Sequence, residues 1–389
     1  YELGLVEPSL IVNDGIDYGC RPDIEAAYGD KLRPMDAFKD SAPAELVDCV
    51  GHDDLIVLMF TSGTTGRSKA VMLSERNFFT TVECQVKFGD AMLDYKHEHM
   101  PEDKNDVLSN FAILPLFHLG TFICLFVWAC KGWALNLSAD IRDFYRDLGL
   151  MHSDAIAVAP MLMEAIYKDV KRGRRARLNG IWNPCGSSAM FDGAMLAELA
   201  QQGMMITQVY GMTETCGDGI INYEQDEKHI RAVGRPDDHA EYKLDETGEI
   251  CIRGGCVMLG YYKDPEATAE VLDADGWFHT GDLARVDEEG FYYITGRKKN
   301  IIILDNGENV SPEELENLLS KCEAVKECIV REKGKKICAV IYCGEADQQT
   351  VRDFITETNR TLPLYKRMSA VEFSTEPLPR TGTGKLLRK

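Results

Sequence analysis

The chain has 389 residues, with 43 Lys and Arg against 63 Asp and Glu, and a formal net charge of −20. Hydrophobic residues make up 45% of it, enough to bury a large core and to exclude a disordered tail. The acidic balance argues against nucleic acid or an anionic membrane surface as partner, because both need basic surface, but it leaves room for a local basic pocket.

The chain starts at Tyr1 without a Met and enters a patterned segment at once. Tyr1–Glu7 reads as a helix end and Ser9–Val12 as a short strand, so an N-terminal portion is expected to be missing. Leu55–Phe60 is a buried-strand candidate that runs into a Gly/Thr-rich loop, and Ser74 can cap a helix reaching about Phe88. Val107–Leu114 reads as a strand and Gly120–Ala129 as an apolar helix. Ala155–Ala159, Ile181–Cys185 and Met204–Val209 read as strands. Met161–Val170 and Phe191–Gln202 read as the helices between them. This alternation predicts an α/β fold with a doubly wound, mostly parallel sheet.

After Thr247 the pattern changes to strand pairs such as Glu249–Arg253 and Phe291–Ile294. Ser311-Pro312-Glu313-Glu314 carries the signature of a helix start with a capping box, and the helix should reach about Cys322. Strands Glu327–Arg331 and Lys336–Tyr342, a helix from about Gln348 to Arg360 and a basic glycine-rich tail follow. The last ninety or so residues read as a separate α+β module, with its boundary near Gly296–Asn300.

Thirteen cysteines are present without a Cys-x-x-Cys pair, which suits neither a zinc ribbon nor a disulfide framework. They read as buried thiols of a cytoplasmic protein. The longest apolar run, Phe122–Cys130, ends at Lys131 and is far short of the ~18–20 residues of a membrane helix. No integral membrane contact is expected.

The strongest local signal is Thr61-Ser62-Gly63-Thr64-Thr65-Gly66-Arg67-Ser68-Lys69. Its hydroxyls, glycines and closing lysine suit a loop whose N–H groups wrap a polyphosphate. It is not a Walker A loop, since Lys does not directly follow the last Gly. The segment resembles the phosphate loop of the adenylate-forming superfamily, which includes acyl-CoA synthetases, aryl-CoA ligases, peptide-synthetase adenylation domains and beetle luciferase. Six further motifs follow in that family's order. They are Leu114-Pro115-Leu116-Phe117-His118, Tyr210-Gly211-Met212-Thr213-Glu214-Thr215, Gly248-Glu249-Ile250, Gly276-Trp277-Phe278-His279-Thr280-Gly281-Asp282, Gly296-Arg297-Lys298-Lys299 and Pro379-Arg380-Thr381-Gly382-Thr383-Gly384-Lys385. The chain departs from the family at Ser68 and Ala70, where Pro and Gly are usual. It departs again at Cys185-Gly186-Ser187-Ser188-Ala189, where a Gly-Gly-Ala strand is usual.

The resemblance implies a large N-terminal domain over 1–295, with doubly wound sheets and a β-rich subdomain, and a small mobile α+β domain over 296–389, hinged near 297–300. It implies ATP, Mg2+ and CoA. A carboxylate attacks the α-phosphorus of ATP, giving an acyl-adenylate and pyrophosphate, and a thiol then displaces AMP. So much negative charge at one site makes positioning and electrostatic stabilisation the main tasks.

The loop residues Thr61, Ser62, Gly63, Thr64, Thr65, Gly66 and Lys69 are expected on the β- and γ-phosphates, and Thr213 on the α-phosphate. Glu214 is the magnesium candidate, because magnesium takes few carboxylates plus phosphate oxygens; without the motif it is a Glu favoured at a helix start. Tyr210, Gly211, Gly186, Ser187 and Ser188 are expected beside the adenine. Asp282 would accept the ribose hydroxyls, backed by Arg297. Lys299 matches the hinge and Gly307 the loop approaching the pantetheine arm. Lys385 matches the lysine delivered to the α-phosphate and carboxylate. His118 has two readings, a packed core residue beside Phe117 and Leu119 or a wall of the acyl pocket. The basic run Lys171, Arg172, Arg174, Arg175 and Arg177 reads as a solvated linker rather than a CoA phosphate site.

The function these readings favour is ATP-dependent activation of a carboxylic acid, fatty or other, and its transfer to CoA. The alternatives are transfer to a carrier protein, or a nucleotide-binding homologue without turnover.

Overall fold

The computed structural model describes residues 2–13, 21–38, 51–61, 68–138, 140–187, 191–217, 219–304, 308–334, 336–380 and 386–387. A six-stranded sheet forms its spine. In spatial order the strands are Gly219–Asn222, Thr207–Gly211, Asn183–Ser187, Ala155–Val158, Ser109–Ala112 and Ala134–Leu137. Neighbours pair in parallel except Gly219–Asn222, which returns antiparallel to Thr207–Gly211. Parallel pairing needs crossovers, and the helices Leu119–Lys131, Phe144–Leu150, Pro160–Lys171 and Gly193–Gln201 supply them. Strand side chains alternate between faces: Ala155 belongs to a core with Leu73, Phe78, Ile123 and Trp128, and the next residue, Ile156, to a core with Phe111, Met163, Ile166 and Leu196. Each Leu, Ile, Phe or Met side chain among these contributes about 1.5–3 kcal/mol by leaving water.

The expected doubly wound architecture is therefore present, with corrections in detail. Leu55–Thr61 is not a fully buried strand: Leu55 is 42% and Ile56 41% exposed. The reason is its place at the edge of a separate sheet ordered Gly260–Tyr261, Lys69–Ser74, Leu55–Thr61. Lys69–Ser74 was not expected as a strand. It pairs antiparallel with Leu55–Thr61, Thr61 opposite Lys69, so the Gly/Thr-rich loop joins two strands rather than a strand and a helix. Ser74 does cap the next helix, with Asn77 completing a capping box, but that helix runs over Glu75–His99 and does not stop at Phe88. The helix continues through Gly89. A Cβ there would meet the Trp133 ring at 3.2 Å, so glycine lets the helix pass close to the indole.

A four-stranded antiparallel sheet follows, ordered Ala240–Leu244, Glu249–Gly254, Phe278–Val286, Tyr292–Arg297. The C-terminal residues build their own core around Leu315, Val330, Ala339, Ile341 and Val351. Its sheet pairs Glu327–Lys333 with Lys336–Tyr342, and Lys336–Tyr342 in parallel with Ala370–Ser374, a strand the sequence reading lacks. The helix Gln348–Thr361 makes that crossover, and Pro312–Leu319 covers the same core.

The expected capping box at Ser311 does not form. Its hydroxyl donates to the Thr295 carbonyl at 2.6 Å, tying the helix start to the Tyr292–Arg297 strand, while Glu314 pairs with Lys366 at 2.7 Å. No helix among the described residues is long and apolar enough to cross a membrane.

Candidate active site

The strand order reverses between Ala155–Val158 and Ser109–Ala112, and in open α/β sheets ligands bind outside the carboxyl ends of strands near such a reversal. The motif residues collect on that edge. Gly186 and Ser187 end one strand and pair with Gln208 and Val209 of the next, whose own end carries Tyr210 and Gly211. The short turn Thr213–Thr215 then presents Thr213 and Glu214. His118 stands immediately before the Leu119–Lys131 helix and is exposed, next to Phe117 at 78% exposure. This overturns the packed-core reading: the helix buries Leu119 and Ile123 and leaves the residues ahead of it outside.

The four-stranded sheet closes on the same edge. Asp282, 6% exposed, lies directly opposite Arg297 in the antiparallel pair Phe278–Val286 with Tyr292–Arg297. Arg297 Nε donates to Asp282 Oδ1 at 2.6 Å, and the Tyr210 hydroxyl donates to Oδ2 at 3.2 Å. Burial, reinforced by the Asp282 carboxylate, pushes the Tyr210 phenol well above its ordinary value and keeps it a donor. Burial also works against the Arg297 charge, but the adjacent carboxylate outweighs it and holds the guanidinium above its ordinary value. Arg297, Lys298, Lys299, Thr280 and Gly281 line a cleft of about 330 Å³. Behind it Glu249, 3% exposed, accepts from the Gly281 N–H and from Lys298 Nζ, both at 2.7 Å.

A second group gathers around the two ends of the Gly/Thr-rich segment. Thr61 and Lys69 sit opposite one another as strand partners. Lys69 Nζ lies 4.5 Å from the centroid of the Tyr261 ring, and the Tyr261 hydroxyl donates to Glu214 Oε1 at 2.9 Å. A carboxylate is a hard oxygen donor that fits Mg2+, and Glu214 is the residue that would hold it.

Ser62, Gly63, Thr64, Thr65, Gly66, Ser188, Gly307 and Lys385 lie outside the described residues. The remaining candidates, Thr61, Lys69, His118, Gly186, Ser187, Tyr210, Gly211, Thr213, Glu214, Asp282, Arg297 and Lys299, are described. They divide between the strand ends, the phosphate-loop sheet and the cleft at the end of the four-stranded sheet. Four of the five residues of the exposed basic run have partners within the fold. Arg174 and Arg177 both grip the buried Asp169, at 2.9 and 3.1 Å, Arg175 binds the Gly203 carbonyl, and Lys171 the Tyr167 hydroxyl. Two contributors escaped sequence reasoning. Glu249 sat inside a recognised motif without a role, and Tyr261 lies 47 positions from Glu214 with only its Gly260-Tyr261 step to mark it.

Comparison with known proteins adds to this geometry. A family model described as AMP-binding enzyme matches residues 17–262, and one described as AMP-binding enzyme C-terminal domain matches 314–385. A feruloyl-CoA synthase from Amycolatopsis sp is 31% identical over 93% of this chain and 74% of its own length. A long-chain-fatty-acid–CoA ligase from Salmonella typhimurium is 30% identical over 87% of this chain and 61% of its own, and a 4-coumarate–CoA ligase from Oryza sativa subsp. japonica 29% over 90% and 66%. The chain thus spans about two thirds of the length of these relatives. Among solved structures, an O-succinylbenzoate coenzyme A synthetase from Bacillus subtilis in complex with AMP superposes with a TM-score of 0.79 at 24% identity, over 100% of this chain and 79% of that one. Likeness at that identity speaks for the fold alone. The residues matched by the two models take in most of the sequence, and the chain belongs to the AMP-binding enzyme family.

Proposed function

We propose that this chain activates a carboxylic acid with ATP, forming an acyl-adenylate and pyrophosphate, and passes the acyl group to the thiol of CoA with release of AMP. The observation that carries the reading is the junction of Tyr210, Asp282 and Arg297 at the strand ends. A carboxylate there can accept both hydroxyls of a ribose, the guanidinium fixes its two oxygens, and the tyrosine ring offers a face to the base. Lys69, Thr61 and the loop between them take the β- and γ-phosphates, and Thr213 the α-phosphate. Mg2+, held by Glu214, supplies charge neutralisation on the phosphates when bound. His118 borders the acyl group. Lys385 brings a cation to the α-phosphate and the attacking carboxylate. The relatives' shared CoA-ligase names support the acceptor, and the differing acids in those names leave the acid to experiment.

Residues 296–389 form the moving domain in this reading, turning at Lys299, with Gly307 near the pantetheine arm. The separate core around Leu315 and Val351 supports their moving as one body. A cytoplasmic setting agrees with the eleven described cysteines, all free thiols.

The test is carboxylate-dependent exchange of labelled pyrophosphate into ATP, with pools from acetate to palmitate plus benzoates and cinnamates, followed by addition of CoA. Exchange with one pool and thioester formation on adding CoA are expected. ATP binding without exchange in any pool overturns the reading.

A further inference from the structure

The Glu214 carboxylate is held by a partner that the functional reading does not use. Its backbone carbonyl accepts from Met258 N–H at 2.9 Å and its Oε1 from the Tyr261 hydroxyl at 2.9 Å, so one short segment grips both ends of the residue. That segment is itself fixed. Gly260 and Tyr261 pair antiparallel with Met72 and Val71, on the strand that begins at Lys69. The Tyr261 N–H turns the other way and donates to Thr268 Oγ1 at 2.9 Å. Tyr261 is 6% exposed, and its ring also carries the Lys69 ammonium at 4.5 Å. A single side chain therefore touches the last residue of the phosphate loop with its face and the magnesium candidate with its hydroxyl. One contact sets a cation over an aromatic face and the other is a hydrogen bond to a carboxylate, so both can order their partners.

We propose that Tyr261 is a positioning residue for this site: its hydroxyl orients the Glu214 carboxylate toward the metal-bound polyphosphate, and its ring aims Lys69 at the same phosphates. This rests on the assignment of Glu214 to Mg2+ made above. The phenol suits the task. Its hydroxyl stands at hydrogen-bond distance from Glu214 Oε1 and donates to it. A carboxylate without this tether keeps its charge and loses its fixed direction, which weakens metal more than nucleotide. The proposal separates the two functions of the residue: Tyr261→Phe keeps the ring over Lys69 and removes only the donor, whereas Tyr261→Leu removes both.

The experiment measures Mn2+ binding to the protein–ATP complex by water-proton relaxation, with Mg2+-dependent pyrophosphate exchange alongside. Tyr261→Phe should weaken Mn2+ in that complex about tenfold, the size of one hydrogen bond to a charged group. It should raise the Mg2+ concentration for half-maximal exchange by a similar factor, with kcat at saturating Mg2+ falling less than about threefold. Tyr261→Leu should in addition weaken ATP measured without metal. In a Glu214→Gln background Tyr261→Phe should change Mn2+ binding no further, whereas a merely structural role would lower it equally in both backgrounds. Equal Mn2+ affinity of wild type and Tyr261→Phe overturns the proposal, and so does a wild type that binds no Mn2+ with ATP. Normal metal coupling without exchange for any acid leaves the proposal standing and removes the ligase reading instead.

Discussion

Arg297 and Asp282 face one another as direct partners in an antiparallel strand pair, with Nε and Oδ1 2.6 Å apart. Fifteen positions separate them, so the sheet register rather than chain proximity aligns the guanidinium with the carboxylate. Arg297 keeps 44% of its side chain exposed while Asp282 keeps 8%, so the pair presents a buried acceptor under a cation that still reaches solvent. Removing the arginine leaves a buried charge with the Tyr210 hydroxyl as its described side-chain donor. After allowance for solvent screening, Arg297→Ala should cost about 1–2 kcal/mol in urea unfolding and weaken ATP at least about tenfold by titration calorimetry. Arg297→Lys should recover the stability better than the ATP affinity, because an ammonium lacks the fork that fixes both oxygens. Equal recovery of both would remove the orienting role of the guanidinium.

The two half-reactions offer a test of Lys385. The proposed function gives it to adenylate formation, from its place in Gly382-Thr383-Gly384-Lys385. Lys385→Ala should lower pyrophosphate exchange by about 10²–10³, the cost of losing one preorganised electrostatic contact, and leave thioester formation from supplied acyl-adenylate within about threefold of wild type. Equal loss of both steps would contradict the assignment.

Asp245 gives a pH prediction. Its Oδ1 accepts from the Thr247 N–H and hydroxyl at 2.7 Å each and from the Glu249 N–H at 2.9 Å. Burial alone would raise its pKa, but these bonds outweigh it and bring the carboxyl from 3.8 down to about 2. A depressed carboxyl pKa means stability fully present above the unfolded value and lost as pH falls through the folded one. Asp245→Asn should therefore be less stable than wild type by about 2 kcal/mol at pH 7. That gap should close between about pH 4 and pH 2 when urea unfolding is followed across that range. A gap independent of pH would show that shape rather than charge is what Asp245 contributes.

Local pattern carried much of the fold into the sequence reading. Most of the parallel strands and their helices were legible because each is an apolar run bounded by polar turns, and Ala155–Val158 is a clear case, whereas the edge strand Ala134–Leu137 and the helix Phe144–Leu150 were not read. What failed depended on contacts between distant segments. Lys69–Ser74 reads as a continuation of the loop until its pairing with Leu55–Thr61 and Gly260–Tyr261 is known. The start at Ser311 has the residues of a capping box, yet the Thr295 carbonyl outcompetes the helix for the hydroxyl. The site follows the same rule. Asp282, Arg297 and Glu214 were named through motifs, whereas Tyr261 reaches Glu214 from another sheet and Glu249 takes its N–H partner from a neighbouring strand of its own sheet, 32 positions along the chain.

Gly186 sits where the strand ends and the ring of Phe191 leans over it. A Cβ at this position would stand 2.4 Å from Phe191 Cε2, well inside contact distance. Phe191 belongs to the rim of the core formed by Met195, Leu196 and Leu199 on the following helix, so the ring has packed neighbours that resist its moving aside. Overpacking of this kind costs about 1–3 kcal/mol, and Gly186→Ala should lose that much in urea unfolding. The same shift would carry the strand end with Ser187, and with it the surface offered to the base. ATP affinity should fall about three- to tenfold, with the Mg2+ dependence unchanged, because Glu214 is tethered to Tyr261 and Met258 rather than to this strand. A second substitution, Phe191→Leu, should relieve the crowding and return both stability and ATP affinity toward wild type. If ATP affinity stayed low after the stability returned, the glycine itself would be needed for backbone approach to the nucleotide, and the Phe191 contact would not be its reason.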